Sequence, residues 1–175
     1  DMSECATMAE SRAAMLCQQL GKSRLDIINV QDLSIIDMLT RVLKSSSSDT
    51  EDAVRESMSG DLAQVATRLE NKYRIPCEQL IRFGNPVAEI MKEIVARGTG
   101  LLVIGAHGNG PKSHDFVGNL PSKLLQISPV PLLVIRQEPK RAYDKIMIAV
   151  DFSEISYYQA RQALSLATPD AEIVF

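Results

Sequence analysis

Apolar positions along this chain fall into two rhythms. In the first they recur at steps of three and four residues, as on one face of a helix. Val54, Met58, Leu62, Val65, Leu69 and Tyr73 predict the longest amphipathic helix, over residues 51–73, with Asp49 or Thr50 as its cap and Gly60 weakening its middle. Met8, Ala9, Met15, Leu16 and Leu20 predict a helix over residues 4–20 that Gly21 can close. Val87, Ile90, Met91, Ile94 and Val95 form a third stripe, begun by the turn Gly84-Asn85-Pro86 and ended by Gly98 and Gly100. Residues 33–43 are apolar at mixed spacing and read as a short helix or lid, followed by a polar serine loop at residues 45–48.

The second rhythm is the short run rich in apolar residues. Residues 25–30 (LDIINV), 77–83, 101–104 (LLVI), 130–135, 146–150 and 172–175 are such runs and predict strands. Helices are expected between them, including short ones over residues 119–126 and 153–167. Strands that are apolar without alternation are buried on both faces, which implies an α/β fold with an open parallel sheet and helices on both sides. Ligands of such sheets bind beyond the carboxyl ends of the strands. Pro129 and Pro131 fit an edge strand from Val130 to Ile135, because proline cannot donate to a central ladder.

The tetrapeptide Asp1-Met2-Ser3-Glu4 returns as Asp151-Phe152-Ser153-Glu154. Each copy is followed by a helical stretch and then a strand, so that LDIINV at Leu25 corresponds to AEIVF at Ala171. The second copy is preceded by the apolar run KIMIAV, and the first is not. The expectation is a frame of a tandem protein: a first domain over residues 1–136 without its opening strand, a linker over 137–143, and the start of a second domain over 144–175. KIMIAV filling the missing strand position of the first domain is the alternative.

Composition narrows the function classes. Hydrophobic residues are 45% of the chain, charged residues 23% and the net charge −3, all ordinary for a globular protein. A mildly acidic chain with 5% aromatics argues against nucleic acid as a partner, which would call for basic clusters or stacking platforms. No apolar run reaches the roughly 18 residues that span a bilayer, so no membrane role is expected. Cys5, Cys17 and Cys77 match no zinc or redox spacing and read as buried free thiols, which suits a reducing, cytoplasmic setting.

The candidate chemistry lies in the glycine-rich loop from Gly105 to Asn119. A strand, LLVI, runs into Gly105-Ala106-His107-Gly108, and nine residues later Gly118-Asn119 opens a helix. Glycine admits close backbone approach, and a helix start aims N–H groups and the positive end of its dipole at an anion. Asn119 can cap that helix or donate its amide to a phosphate, and Ser122 can add a hydroxyl. His107, Lys112 and His114 can add positive charge, although solvated loop side chains are the simpler reading of all three. The loop is not a Walker A loop, since no Gly-Lys-Ser/Thr follows, and Ser113 has no nucleophile elbow around it.

This spacing, together with RFGNPVAEIMKEIV, LLVIGAHGNG, VPLLVIR and KIMIAVDFSE in the same order, resembles the universal stress protein family in its tandem, two-domain form. The family's nucleotide-binding members carry G-x₂-G-x₉-G-[S/T] at this place. The resemblance implies a five-stranded open parallel sheet of the adenine nucleotide alpha hydrolase-like, Rossmann-like type. It implies ATP or a related adenine nucleotide, with or without Mg, as ligand. Asp1, and Asp151 in the second copy, would contact adenine, and backbone near Val30 would meet the base. Gly105, His107 and Gly108 would approach ribose and phosphates, and Gly118, Asn119 and Ser122 would hold the phosphates. It also implies pairing of domains, or a homodimer, through the strand from Val130 to Ile135. Three positions depart from the pattern: Asn119 replaces Ser or Thr, Pro121 removes an N–H donor, and Gly100 stands where an Asp is usual.

The resulting expectation is a stress-response binding and signalling module rather than an enzyme. A nucleotide-free interaction protein and a slow ATPase are the alternatives. No general base or metal carboxylate pair is evident for turnover, Asp115 being the single carboxylate of the loop.

Overall fold

The computed structural model describes residues 2–21, 24–44, 46–108 and 117–175. The chain divides into two compact units, Asp1–Arg136 and Gln137–Phe175. The first unit runs α1 (Glu4–Leu20), β1 (Leu25–Gln31), α2 (Leu33–Leu43), α3 (Ser47–Tyr73), β2 (Cys77–Phe83), α4 (Pro86–Arg97), β3 (Leu102–Gly105), α5 (Asn119–Ile127) and β4 (Leu132–Ile135). The second is β5 (Tyr143–Met147), α6 (Glu154–Ser165) and β6 (Ala167–Val174).

Every strand pair is parallel, and the fold is α/β. Among the described residues pairing takes the form of three two-stranded ladders, β1 with β2, β3 with β4 and β5 with β6, rather than one continuous five-stranded ladder. The reason lies in β1 and β3, which have no strand between them among the described residues. Their side chains nonetheless place helices on two faces. Ile27 of β1 joins Ala14 of α1 and Leu62, Val65, Ala66, Leu69 and Tyr73 of α3. The next side chains along, Ile28 and Val30, pack instead with Leu102 and Ile104 of β3 against Ile90 and Ile94 of α4 and Leu124 of α5. That alternation is the two-residue period of a strand, here with apolar partners on both sides.

Local chemistry explains most boundaries. Gly21 ends α1 at φ 76°, its N–H donating to the Cys17 carbonyl at 3.1 Å, and glycine adopts this left-handed conformation without steric cost. Asn85 caps α4 through Ala88 N–H, with Pro86 in the first turn. The longest helix departs from the sequence reading. α3 starts at Ser47, and its cap is Ser46, whose Oγ accepts from Asp49 N–H at 3.1 Å. Asp49 and Thr50 are therefore inside the helix, and Thr50 Oγ1 donates back to the Ser46 carbonyl at 2.9 Å. A serine competes well with an aspartate for this position, so the polar stretch supplies the first turn instead of a loop.

Arg97, at the end of α4, ties the ladder β1–β2 to that helix. Its guanidinium reaches Glu78 at 2.7 Å, Glu93 at 3.0 Å and Asp26 at 3.3 Å, and Arg82 reaches Glu93 at 2.6 Å. These contacts hold Glu78 and Glu93 below the usual glutamate range. Arg97 is the largest cause for Glu78 and Arg82 for Glu93.

In the second unit the last strand is longer than residues 172–175, starting at Ala167. The register jumps between Tyr143↔Ala167 and Lys145↔Glu172. Pro169 falls in the extra length, where an irregular ladder tolerates a residue with no N–H. Strand β5 starts earlier than residues 146–150, at Tyr143, and the chain past Met147 keeps one further bond, Ile148 N–H to the Val174 carbonyl at 2.8 Å.

Candidate functional site

Strand β3 ends at Gly105, and the chain turns there through Ala106, His107 and Gly108. Ala106 is fully buried. Its N–H donates to the Ile135 carbonyl at 2.8 Å, extending the ladder to β4 by one bond, and its carbonyl accepts from Gly118 N–H at 2.8 Å. This second bond clamps the start of α5 against the end of β3. The loop is thus closed at its base from both ends, 106 to 118.

Gly118 is the N-cap of α5, in extended conformation, and makes no side-chain cap bond because it has no side chain. Asn119 is the first helical residue, not the cap that the sequence reading allowed it to be. Of the first N–H groups in the helix, position 121 is a proline and has none, and Ser122 N–H bonds the Gly118 carbonyl at 3.0 Å. Among the described residues no side-chain cap accepts from the N–H groups of Asn119 and Leu120, which lie at the positive end of the helix. Ser122 Oγ donates to the Val117 carbonyl at 3.4 Å.

A second helix start reaches the same turn. Ser3, the N-cap of α1, is buried; its Oγ accepts from Ala6 N–H at 3.1 Å and donates to the His107 carbonyl at 3.4 Å. Position 3 was not singled out from sequence as a site residue. Its signal was present in the Asp-x-Ser-Glu repeat, and the second copy repeats the geometry. Met2 and Phe152 both take left-handed φ, at 45° and 62°, and Ser3 and Ser153 both cap their helices at 3.1 Å.

The two framing glycines are packed against backbone. A Cβ on Gly105 would lie 2.6 Å from the carbonyl carbon and oxygen of Cys5, and one on Gly118 would lie 3.1 Å from the Ala106 oxygen. No side chain fits the first position, and the second is tight. Gly105, Ala106, His107, Gly108, Gly118, Asn119 and Ser122 are therefore brought together.

The remaining sequence candidates are placed otherwise. Val30 sits at the carboxyl end of β1, its side chain half-buried in the cluster that also holds Ile104. Asp151 belongs to the second unit, where its carboxylate accepts from Ser153 N–H at 3.0 Å, and hydrogen bonds from Ser153 and Ser156 draw it down to about 2. Asp1, Lys112, Ser113, His114 and Asp115 lie outside the described residues. The three cysteines are free, as expected, but half-buried rather than buried. Burial pushes the Cys77 thiol up to about 11 and also raises Cys17. Among the described residues no helix is long and apolar enough to cross a membrane.

A model of the universal stress protein family matches residues 1–136. Among solved structures, the universal stress protein UspA from Lactobacillus plantarum is 22% identical, with a TM-score of 0.65 over 78% of this chain and 92% of its own. The hypothetical protein MJ0577, whose biochemical function was assigned from its structure, is 18% identical, with a TM-score of 0.65 over 80% of this chain and 93% of its own. A universal stress protein solved in complex with cAMP is 14% identical, with a TM-score of 0.50 over 77% of this chain and 89% of its own. No curated protein matches the sequence. The family match covers one domain and ends at Arg136, so the expected tandem form is not supported. The likeness of residues 151–154 to 1–4 extends to the left-handed turn residue and the serine helix cap.

Proposed function

The chain belongs to the universal stress protein family, and on that premise we propose that it binds an adenine nucleotide at the carboxyl end of β3 and acts as a binding module. The observation that carries the reading is the uncapped start of α5 held against the strand end by the bond from Gly118 to Ala106. The fit to a phosphate is good in kind. Asn119 and Leu120 offer two N–H groups and the helix supplies a positive end, which together suit one phosphate group. Ser122 can exchange its bond to Val117 for a phosphate oxygen, and the Asn119 amide is a further donor. One relative, described above, was solved with cAMP, a ligand of this chemical class.

The reading needs no reaction. Holding the polyanion gives a protein whose surface near α5 and the loop changes with nucleotide supply, which suits a signalling role in the stress response. The edge strand β4, whose single neighbour among the described residues is β3, is the face through which pairing with a like domain would run in this reading.

A second reading has its own observation. Gly105 is required by backbone packing against Cys5 and Gly118 is tight against Ala106, so two of the three loop glycines have a packing reason even in a nucleotide-free interaction protein. Equilibrium titration with ATP and with cAMP separates the two. Saturable binding at micromolar to millimolar ligand supports the module, and its absence in that range leaves the interaction protein.

A further inference from the structure

Two of the three cysteines, far apart in sequence, come to one place in the fold. Leu25 opens β1 level with Cys77, the first residue of β2. Residues level with each other in a parallel pair point to the same face of the sheet. For Leu25 and Cys77 this is the face that α1 and α3 cover, because both pack on the cluster of Ala14, Ile27, Leu62 and Leu69. Cys17, in the last turn of α1, packs on the same cluster. Its Sγ donates at 3.9 Å to the carbonyl of Arg24, the residue directly before Leu25. The end of α1 is thereby set over the start of β1, with Cys77 on the neighbouring strand. Glu70 of α3 closes the group, its carboxylate accepting from Cys77 N–H at 3.1 Å. The two sulfurs also sense each other: after burial and the charge of Glu70, the charge of Cys17 is a further cause that raises Cys77.

We infer that Cys17 and Cys77 form a dithiol that a small disulfide of the glutathione type converts to an intramolecular bridge. One protein thiol loses its proton and attacks the small disulfide. The S–S bond of that molecule breaks, one small thiol leaves, and a mixed disulfide remains. The second protein thiol then loses its proton and attacks the bonded protein sulfur, releasing the other small thiol. The protein gives up two electrons and two protons, and the small disulfide takes them up. Cys17 attacks first and Cys77 resolves, because Cys77 faces Glu70 as well as the buried surroundings and is the poorer thiolate. Cys17 is held back by burial and by Asp26 of β1. Both thiols therefore stay protonated near neutral pH, so stray oxidation is slow, and the second step gains from being intramolecular.

Other partners fit less well. Cys5 lies on α1 some three turns before Cys17, roughly 18 Å away at the rise of a helix, far beyond the span of a disulfide. Two thiols are too few for a zinc site, and among the described residues no group of three His, Cys, Asp or Glu side chains is placed to hold a metal ion. The bridge closes the chain over β1, α2 and α3 and ties α1 to β2. A closed loop of that length restricts the unfolded chain, so the oxidised protein is the more stable form.

The test is incubation of the full folded chain with oxidised glutathione, followed by thiol titration, intact mass and peptide mapping. Expected is a monomer that has lost two hydrogen atoms and keeps a single free thiol, Cys5, with the peptides of Cys17 and Cys77 linked. Dithiothreitol restores all three thiols, the melting midpoint of the oxidised form is higher by several degrees, and the oxidation rate rises steeply with pH. In Cys77→Ser the reaction stops at a glutathione adduct on Cys17, because no second thiol resolves it. Circular dichroism checks that this variant keeps its helices. A wild-type chain that retains three thiols, or that ends only as glutathione adducts or as disulfide-linked dimers, overturns the proposal. So does a bridge that maps to Cys5.

Discussion

The α-carbon of Gly105 faces the backbone of Cys5 so closely that a Cβ there would stand 2.6 Å from the Cys5 carbonyl. The two residues are a hundred positions apart, and their contact brings the start of α1 to the end of β3. Gly105→Ala is expected to destabilise the protein by about 2–3 kcal/mol, because backbone rather than a flexible side chain must give way. Urea unfolding checks it. A loss below about 0.5 kcal/mol would mean that α1 does not sit this close.

Gly60 presents the opposite case. It lies within α3, and a Cβ there would meet nothing within 4 Å. Gly60→Ala should stabilise the fold by about 0.5–1 kcal/mol, through the lower chain entropy of alanine in the unfolded state. An unchanged or lower midpoint in thermal or urea unfolding counts against α3 being continuous at this point.

Asn119→Asp separates binding from folding. An aspartate in the first turn interacts favourably with the helix dipole, so stability is held or raised by a few tenths of a kcal/mol. The same charge repels a phosphate at the uncapped start of α5, and ATP affinity should fall about tenfold or more. Calorimetric titration beside a melting curve reads both. Unaltered affinity in a stable variant removes α5 from the site.

The acid limb of the stability profile should follow the Arg97 network. Glu78 and Glu93 are held below their ordinary value near 4.5 in the folded state. Their contribution is fully present above that pH and is lost as pH falls through the lowered folded values. Glu10 acts in the other direction, its pKa raised by burial against the pull of Arg68, so its contribution weakens as pH rises through the folded value. Arg97→Gln should lower stability at neutral pH and flatten the loss below about pH 4.5. Denaturant midpoints at neutral pH and near pH 3 check it. An acid limb as steep as wild type would show that the network does not set it.

Much of this organisation is written locally. Periods of three and four placed α1, α3 and α4, and short runs rich in apolar residues placed β1, β2, β3 and β4, because side-chain patterning is a property of neighbouring residues. The base of the Gly105 to Asn119 loop was legible for the same reason: strand, glycines and helix start are adjacent in sequence. Boundaries were less so. Ser46 took the cap of α3 from Asp49 and Thr50, since several adjacent polar residues can each satisfy the same N–H groups.

What tertiary structure alone decided is which backbone meets which. The sequence presents Gly105 as a residue that could let a ligand approach, whereas in the fold its bare face meets Cys5. Ser3 reads as an ordinary polar residue until its hydroxyl reaches the His107 carbonyl across the length of the first unit. The sequence likewise shows six strands but not their pairing. Ladder formation depends on hydrogen bonds between segments tens of residues apart, and local pattern carries no term for these. The sequence by itself determined the elements and the candidate loop. The fold determined that the base of the loop, at Ala106, His107 and Gly118, is held by two helix starts.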